Sequence, residues 1–422
     1  MKIGIFTDAY YPVTSGVVTS IRMVEQEMKK RGHEVYVFAP TKSEPTDNQN
    51  LYMLKSMPLL VAKEYKNRIA TFYSRTISKQ IKDIGLDIVH TQDEFSLGLF
   101  GKIIARKYNI PFIHTYHTMW EDYLHYIIPV KGGRHIYTKR FARTLSRNFA
   151  IKAECIIAPS QKTEKYLRYR CKIKNKPIYV IPTGIDIEPF KRSNFSEEQK
   201  NELKKSLGIQ PNDNVILFIG RVAEEKSIDL ILNCMPDVFK TLPNSKFLIV
   251  GDGPSMNDLK ELSQKLNIQD KVIFAGKQPW ENIGLYYNLG DVFVNASMTE
   301  TQGLTFIEAM ASGVPIVARY APNLSEFISN NENCIFIRYQ SQMSKSIINV
   351  LTDKKLKEKL IKNAYQTAEE HSSKEFGDKL EALYKYIIEE YKLKKDGVPD
   401  KNLAKKFMNY IKKYNIKKQP KI

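Results

Sequence analysis

Short runs of β-branched and aliphatic residues alternate with helix-length segments along almost the whole chain, and this alternation most constrains the fold. In the first half the runs fall at 3–7, 35–39, 88–90, 112–115, 156–158 and 179–181, with helix-like segments such as 17–30 and 97–107 between them. The second half repeats the plan at 215–219, 247–250, 272–275, 292–295 and 316–318. Strand–helix–strand alternation of this kind builds parallel sheets covered by helices. At 422 residues the chain exceeds what one core usually supports, so the two series predict an α/β protein of two Rossmann-like domains facing across a cleft. The turn-rich stretch 182–190 (PTGIDIEPF) separates the series and marks the boundary. The expected division is 1–185, 186–372, a C-terminal helix over 373–395 and a basic amphipathic tail over 396–422. The pattern leaves the placement of that helix open, a return to the first domain included. Ligands of open α/β sheets bind beyond the C-terminal strand ends, so a site is expected between the domains.

Cys155, Cys171, Cys234 and Cys334 are scattered without a CxxC pair, which argues against both a disulfide framework and a zinc site. The N-terminal MKIGIFTDAYYP lacks the apolar core of a secretory signal, and no stretch is long and apolar enough for a spanning helix. The expected setting is therefore cytoplasmic, with any membrane met from its surface. A formal net charge of +19 points to an anionic partner. The excess is local: residues 55–82 carry seven Lys/Arg against Glu64 alone, 131–152 carry seven and no acid, and 392–422 carry eleven against Asp396 and Asp400.

The first run ends in Thr7-Asp8 and passes through YYPVTSG into a helix beginning near Val17, which sets Gly16 beside a helix N-terminus. Backbone N–H groups and the helix dipole there favour phosphate, although a glycine needed only for the turn reads equally well. A GxGxxG fingerprint is absent, which argues against a dinucleotide. Further on, 215–219 runs into Gly220-Arg221, and Lys226 follows just before a helix expected at Ser227. Two cations in such a loop can hold a diphosphate without metal, arginine by paired contacts and lysine as a point charge. A solvated surface pair is the plainer alternative. In Glu300-Thr-Gln-Gly-Leu-Thr-Phe-Ile-Glu308 two acids stand eight residues apart, with Gly303 just before a helix starting near Leu304. Carboxylates accept paired hydroxyls, which suits Glu308 to a ribose diol and Glu300 to a hexose. A glycosidase-like acid pair is the competing chemistry. His114 and His117 stand near the end of an apolar run, where a structural histidine is the plain reading.

The set GVVTSIR, HTYHTMWEDY, GRVAEEKS, VGDGP, FAGK and ETQGLTFIEAMASGVPIVA, in this order over most of residues 1–320, resembles the retaining GT-B glycosyltransferases of the large family that contains sucrose synthases and bacterial lipid glycosyltransferases. The resemblance implies that Arg221 and Lys226 bind the diphosphate, Glu300 lies near the donor sugar and Glu308 binds the ribose. It further implies that Gly16 approaches phosphate, that Gly303, Leu304 and Thr305 offer peptide N–H groups, that the base docks at Gly276-Lys277, and that His117 sits beside the sugar. A front-face transfer, in which the leaving phosphate helps take the acceptor proton, is the route the family implies. No D-x-D triplet occurs, so no metal and no cofactor beyond the sugar-nucleotide donor is expected.

The basic segments interleave cations with large apolar residues. In 137–149, Tyr137, Phe141, Leu145 and Phe149 recur every fourth residue while Lys139, Arg140, Arg143 and Arg147 lie off that line, the pattern of a basic amphipathic helix. Packing of that stripe on the first domain explains it equally well. The tail repeats the theme with Leu403, Phe407, Tyr410, Ile411 and Tyr414 among Lys401, Lys405, Lys406, Lys412 and Lys413, and the segment from Met57 to Lys82, with Lys63, Lys66 and Arg68, is the third. These are expected to meet an anionic membrane surface. Within the family, HTYHTMWEDYLHY and ETQGLTFIEAMASG resemble bacterial enzymes that transfer glucose from UDP-glucose to 1,2-diacylglycerol, with other lipids, polysaccharides or soluble acceptors as alternatives. A nucleic-acid partner suits the charge but gives the acids and cations of 221–308 no purpose. An epimerase has little use for the amphipathic segments, and a phosphorylase of this fold normally needs a much longer chain.

Overall fold

A computed structural model describes residues 1–13, 16–43, 50–58, 68–117, 135–297, 303–321, 324–397 and 417–418, with 135–138, 326 and 417–418 as backbone only. The chain divides into two units, Met1–Gly184 with Ser373–Ile422, and Ile185–Ser372.

In the first unit the strands are β1 (Lys2–Phe6), β2 (Glu34–Pro40), β3 (Leu51–Leu54), β4 (Ser56–Pro58), β5 (Arg68–Ala70), β6 (Ile88–Thr91), β7 (Phe112–Thr115), β8 (Cys155–Ala158) and β9 (Ile178–Val180). Its helices are α1 (Gly16–Lys30), α2 (Arg75–Ile84), α3 (Ser96–Tyr108), α4 (His135–Ala150) and α5 (Gln161–Lys165). The main sheet runs β9-β8-β7-β6-β1-β2-β3, all neighbours parallel, and Lys417–Lys418 lies antiparallel on β9. The β4–β5 pair is a separate antiparallel hairpin. Side chains alternate across the pleat. Ile3, Ile5, Val35, Val37, Ile88 and Ile113 face one side with Ile21, Val24 and Met28 of α1. Phe6, Phe38, Val89 and Phe112 face the other with Leu97, Phe100 and Ile104 of α3. A sheet buried on both faces reads in sequence as a run of apolar residues, the signal the inner strands give.

The second unit contains β10 (Asn214–Ile219), β11 (Ser245–Val250), β12 (Val272–Gly276), β13 (Val292–Asn295), β14 (Ile316–Arg319) and β15 (Ile335–Ile337). Its helices are α6 (Glu197–Ser206), before the first strand, α7 (Ile228–Leu232), α8 (Met235–Thr241), α9 (Met256–Lys265), α10 (Trp280–Leu289) and α11 (Leu304–Ala311), among the strands, and α12 (Met343–Thr352) and α13 (Lys354–Glu370), after the last. The sheet order is β12-β11-β10-β13-β14-β15, again parallel. In both sheets the winding reverses beside the first strand, between β1 and β6 and between β10 and β13. That reversal opens the crevice in which doubly wound sheets bind ligands.

The last long helix, α14 (Ser373–Lys395), belongs to the first unit, where Phe376, Leu380, Leu383, Tyr384 and Ile387 complete the α1 face of the core. Arg31 ties it down by donating to Glu27 at 2.6 Å and to Asp378 at 2.7 Å, and His33 meets Glu381 at 2.7 Å.

Helix α4 differs from the stripe expected of it. Ala142, Ser146, Phe149 and Ala150 are the buried residues, while Phe141 is 67% and Leu145 42% exposed. A residue every fourth position drifts about 40° per step on a helix of 3.6 residues per turn. The line that reaches the core at Phe149 has therefore turned outward by Phe141, and small Ala142 and Ser146 take the contact face.

Candidate active site

In the second unit the loops after β10, β11 and β12 are joined through their main chains. Gly220 N–H donates to Val250 O at 3.0 Å, Val222 N–H to Asp252 O at 3.0 Å, and Gly251 N–H to Gly276 O at 2.9 Å. The backbones approach so closely that a Cβ on Gly251 would stand 1.9 Å from Gly220 O, and one on Gly253 2.2 Å from Val222 O. The VGDGP glycines thus hold the strand-end loop of Arg221 in place. Arg221 itself projects outward, its side chain 69% exposed and 3.9 Å from Glu225, too loose and solvated a pair to hold it strongly. Lys226 is half-buried and ends a 3-10 turn, Glu224–Lys226. The helix expected to open at Ser227 begins one residue on, with Ser227, left-handed at φ 50°, as the N-cap of α7. Lys277 is exposed directly after Gly276, at the end of β12.

Gly303 caps α11 with φ 62°, and a Cβ there would meet Leu324 at 2.7 Å and Phe327 at 2.8 Å, so both backbone and space demand glycine. The Phe306 and Ile307 N–H groups turn back to Gly303 O. Helix geometry places the amides of Leu304 and Thr305 outside the intrahelical ladder, at the positive end of the dipole. Glu308 stands just over one turn along α11, 8% exposed, with Tyr287 Oη donating to its Oε2 at 2.7 Å. Burial pushes the Glu308 carboxyl up to about 7, and the Tyr287 bond opposes that shift.

The first unit's reversal point is built from side chains. Asp8, just past β1, accepts from Ser96 Oγ and from Leu97 N–H at 3.1 Å, capping the start of α3. Its own N–H donates to Asp93 Oδ2. Burial raises the Asp8 carboxyl, and burial together with Asp8 and Glu94 drives the Asp93 carboxyl well above the usual carboxylate range. Beside it His117 donates from Nε2 to Gln92 Oε1 at 2.8 Å. Desolvation, then His114, pushes His117 down to about 3, so its ring is neutral and Nδ1 is an acceptor. His114 pairs with Thr91 at 2.9 Å, and His90 with Tyr384 at 2.6 Å and Thr115 at 2.7 Å, both as structural residues. Gly16 is the exposed first residue of α1.

Sequence reasoning missed Tyr287, Gln92, Asp93 and Glu94. The polar run directly after the apolar strand 88–90 was a usable signal for the last three; Tyr287, inside a helix, offered none. Glu300 lies outside the described residues, as do Lys63, Lys66, Lys405, Lys406, Lys412 and Lys413. Of the other basic positions, Lys139, Arg140 and Arg147 are exposed and Arg143 is half-buried. Arg68 folds onto the hairpin, donating to Ser56 Oγ at 2.7 Å and Ser56 O at 2.8 Å. Among the described residues no group of three or more His, Cys, Asp or Glu side chains is arranged to hold a metal ion, and no helix is long and apolar enough to cross a membrane.

Two doubly wound units in one chain define a protein of the GT-B class. The fold matches a glycosyltransferase from Rickettsia africae with a TM-score of 0.68 at 20% identity, covering 92% of this chain and 98% of that one. It also matches Anabaena Alr3699/HepE in complex with UDP, with a TM-score of 0.66 at 17% identity, over 91% and 99% of the two chains. Residues 199–367 match the family "Glycosyl transferases group 1", and residues 14–189 match "Glycosyltransferase Family 4". Alpha-monoglucosyldiacylglycerol synthase of Streptococcus pneumoniae is 36% identical over 97% of this chain and 91% of its own length. The enzyme of the same name from Acholeplasma laidlawii is 32% identical over 92% and 98%. The chain belongs to the group 1 glycosyltransferases.

Proposed function

We propose that this glycosyltransferase moves glucose from UDP-glucose, with retention, onto 1,2-diacylglycerol at the inner face of the cell membrane, to which it binds peripherally. The observation that carries this reading is its likeness, over nearly the full length of both chains, to two alpha-monoglucosyldiacylglycerol synthases. The second unit holds the donor. Arg221 and Lys226 neutralise the diphosphate, the amides of Gly303, Leu304 and Thr305 cradle its oxygens, Lys277 flanks the base, Glu308 takes the ribose diol and Glu300 the hexose. In the transfer, the bond from the sugar C1 to the β-phosphate oxygen breaks while the acceptor oxygen bonds to C1 on the same face. The acceptor's proton passes to the leaving phosphate. Charge grows on the diphosphate, where Arg221 and Lys226 stabilise it without metal. In the first unit, neutral His117 orients a sugar hydroxyl through its free ring nitrogen, and Gly16 lets the main chain approach phosphate.

The same chain meets the membrane through Lys139, Arg140, Arg143 and Arg147, through Lys63, Lys66 and Arg68, and through Lys405, Lys406, Lys412 and Lys413. Exposed Phe141 and Leu145, beside exposed cations on α4, support this reading, as do Met57 and Ile69, a cross-strand pair 73% and 41% exposed on the hairpin.

The test is transfer of label from radiolabelled UDP-glucose to diacylglycerol in vesicles containing anionic lipid, with Glu300→Ala alongside. Labelled glycolipid from the wild type only is expected. UDP-glucose binding without product would remove diacylglycerol as acceptor, and activity lost to EDTA and restored by magnesium would remove the metal-free mechanism.

A further inference from the structure

Tyr287 is fully buried, yet its hydroxyl is aimed at the one acid of the second unit assigned to the nucleotide. Its ring is clamped edge-on by Phe190, with centroids 5.6 Å apart, and packs at 5.9 Å on Phe293 of β13. Both partners are themselves core residues. Held this way, Oη reaches Glu308 Oε2 at 2.7 Å and lies 3.3 Å from the Thr305 carbonyl. Glu308 is a long side chain one turn inside a helix, and among the described residues this is the one hydrogen bond made to its carboxylate oxygens. A carboxylate that is to accept two vicinal hydroxyls needs a fixed plane. A phenol whose ring cannot move supplies it.

We propose that Tyr287 is a positioning residue for donor recognition: its hydroxyl holds Glu308 Oε2 and so directs the carboxylate at the 2′,3′-diol of a ribonucleoside diphosphate. This inference rests on the donor reading given above and sharpens it into a selectivity, for ribose over 2′-deoxyribose. A tyrosine that served only to fill the core would do so equally well as phenylalanine, because the ring makes all the apolar contacts. The hydroxyl adds the bonds to Glu308 Oε2 and to the Thr305 carbonyl. Removing a hydrogen bond to a charged group weakens what depends on it by about 10- to 100-fold.

The experiment is calorimetric binding of UDP and of 2′-deoxy-UDP to the full chain as wild type, Tyr287→Phe and Glu308→Gln. The wild type is expected to prefer UDP. Tyr287→Phe is expected to bind UDP about 10-fold more weakly while its affinity for 2′-deoxy-UDP changes by no more than about twofold. Binding of the deoxy ligand also reports that the variant is folded, and a rise in KM for UDP-glucose with kcat nearly constant is the accompanying kinetic signature. If Tyr287→Phe keeps the wild-type preference while Glu308→Gln loses it, Tyr287 only packs and the proposal is overturned with the donor reading intact. If Glu308→Gln keeps the preference as well, or the wild type has none, the ribose assignment falls and the proposal falls with it.

Discussion

The two sheets wind the same way and reverse beside the same strand, yet their reversal points are built from opposite materials. In the second unit main-chain bonds join the loops after β10, β11 and β12, leaving Arg221 and Lys277 exposed. In the first, buried side chains build the reversal point: Asp8 on the start of α3, Asp93 on the Asp8 amide, and Gln92 on His117. A backbone-built site frees cations to meet an anion and cradles it with amides. Buried side chains with raised carboxyls and a neutral His117 ring suit an uncharged hydroxyl compound. Topology is common to both, and what differs is the chemistry that fills the strand ends.

Breaking the anion side should have the largest effect. Lys226→Ala or Arg221→Ala is expected to lower kcat for UDP-glucose by about 10²- to 10³-fold in steady-state assays, the scale for removing one donor to developing charge. Equal activity in the variants would move the diphosphate elsewhere. Gly303→Ala tests the backbone that shapes the site. With φ at 62° and Leu324 and Phe327 within 2.8 Å of the added carbon, it should lose about 2–3 kcal/mol in denaturant unfolding.

On the other side, Gln92→Leu releases His117 Nε2. It should lower kcat about tenfold, the price of an unpaired buried donor, while calorimetric UDP binding stays unchanged. A loss of UDP affinity instead would erase the division of labour. The pH dependence sharpens the same contrast. Only the ionised Glu308 accepts two hydroxyls, so KM for UDP-glucose should fall about tenfold from pH 6 to pH 8, and Glu308→Gln should abolish the dependence. The stability sign is opposite. A carboxyl raised by burial contributes stability at low pH, and that contribution is lost as pH rises through about 7. The smallest effect concerns the exposed cations of α4. Replacing Lys139, Arg140 or Arg147 by glutamine should weaken binding to anionic vesicles by about fivefold per charge in sedimentation, roughly 1 kcal/mol each. Their exposure predicts unchanged thermal unfolding.

The inner strands were legible because burial on both faces leaves an unbroken apolar run, as in 215–219. The edge elements Leu51–Leu54, Ser56–Pro58, Arg68–Ala70 and Ile335–Ile337 are three or four residues long and half-solvated, so they carry no such signal. At the site, Gly303 and Glu308 could be read because their spacing lies within one loop and helix. Tyr287 could not, since it meets Glu308 across a separation of 21 residues, and the polar run that marks Gln92 does not reveal its pairing with His117, 25 residues away. Contacts of that kind are set by packing, and no local pattern records them. Helix α4 was legible as a helix, but its fourfold spacing hid the drift that buries Phe149 and turns Phe141 outward.

The proposed reaction is a retaining glucosyl transfer to a lipid alcohol. Its most direct test is the anomeric configuration, by proton NMR, of the glycolipid formed from UDP-glucose and diacylglycerol in anionic vesicles. An α-linked monoglucosyl product is the predicted result; a β-linked product, or glucose released without a lipid conjugate, would contradict it.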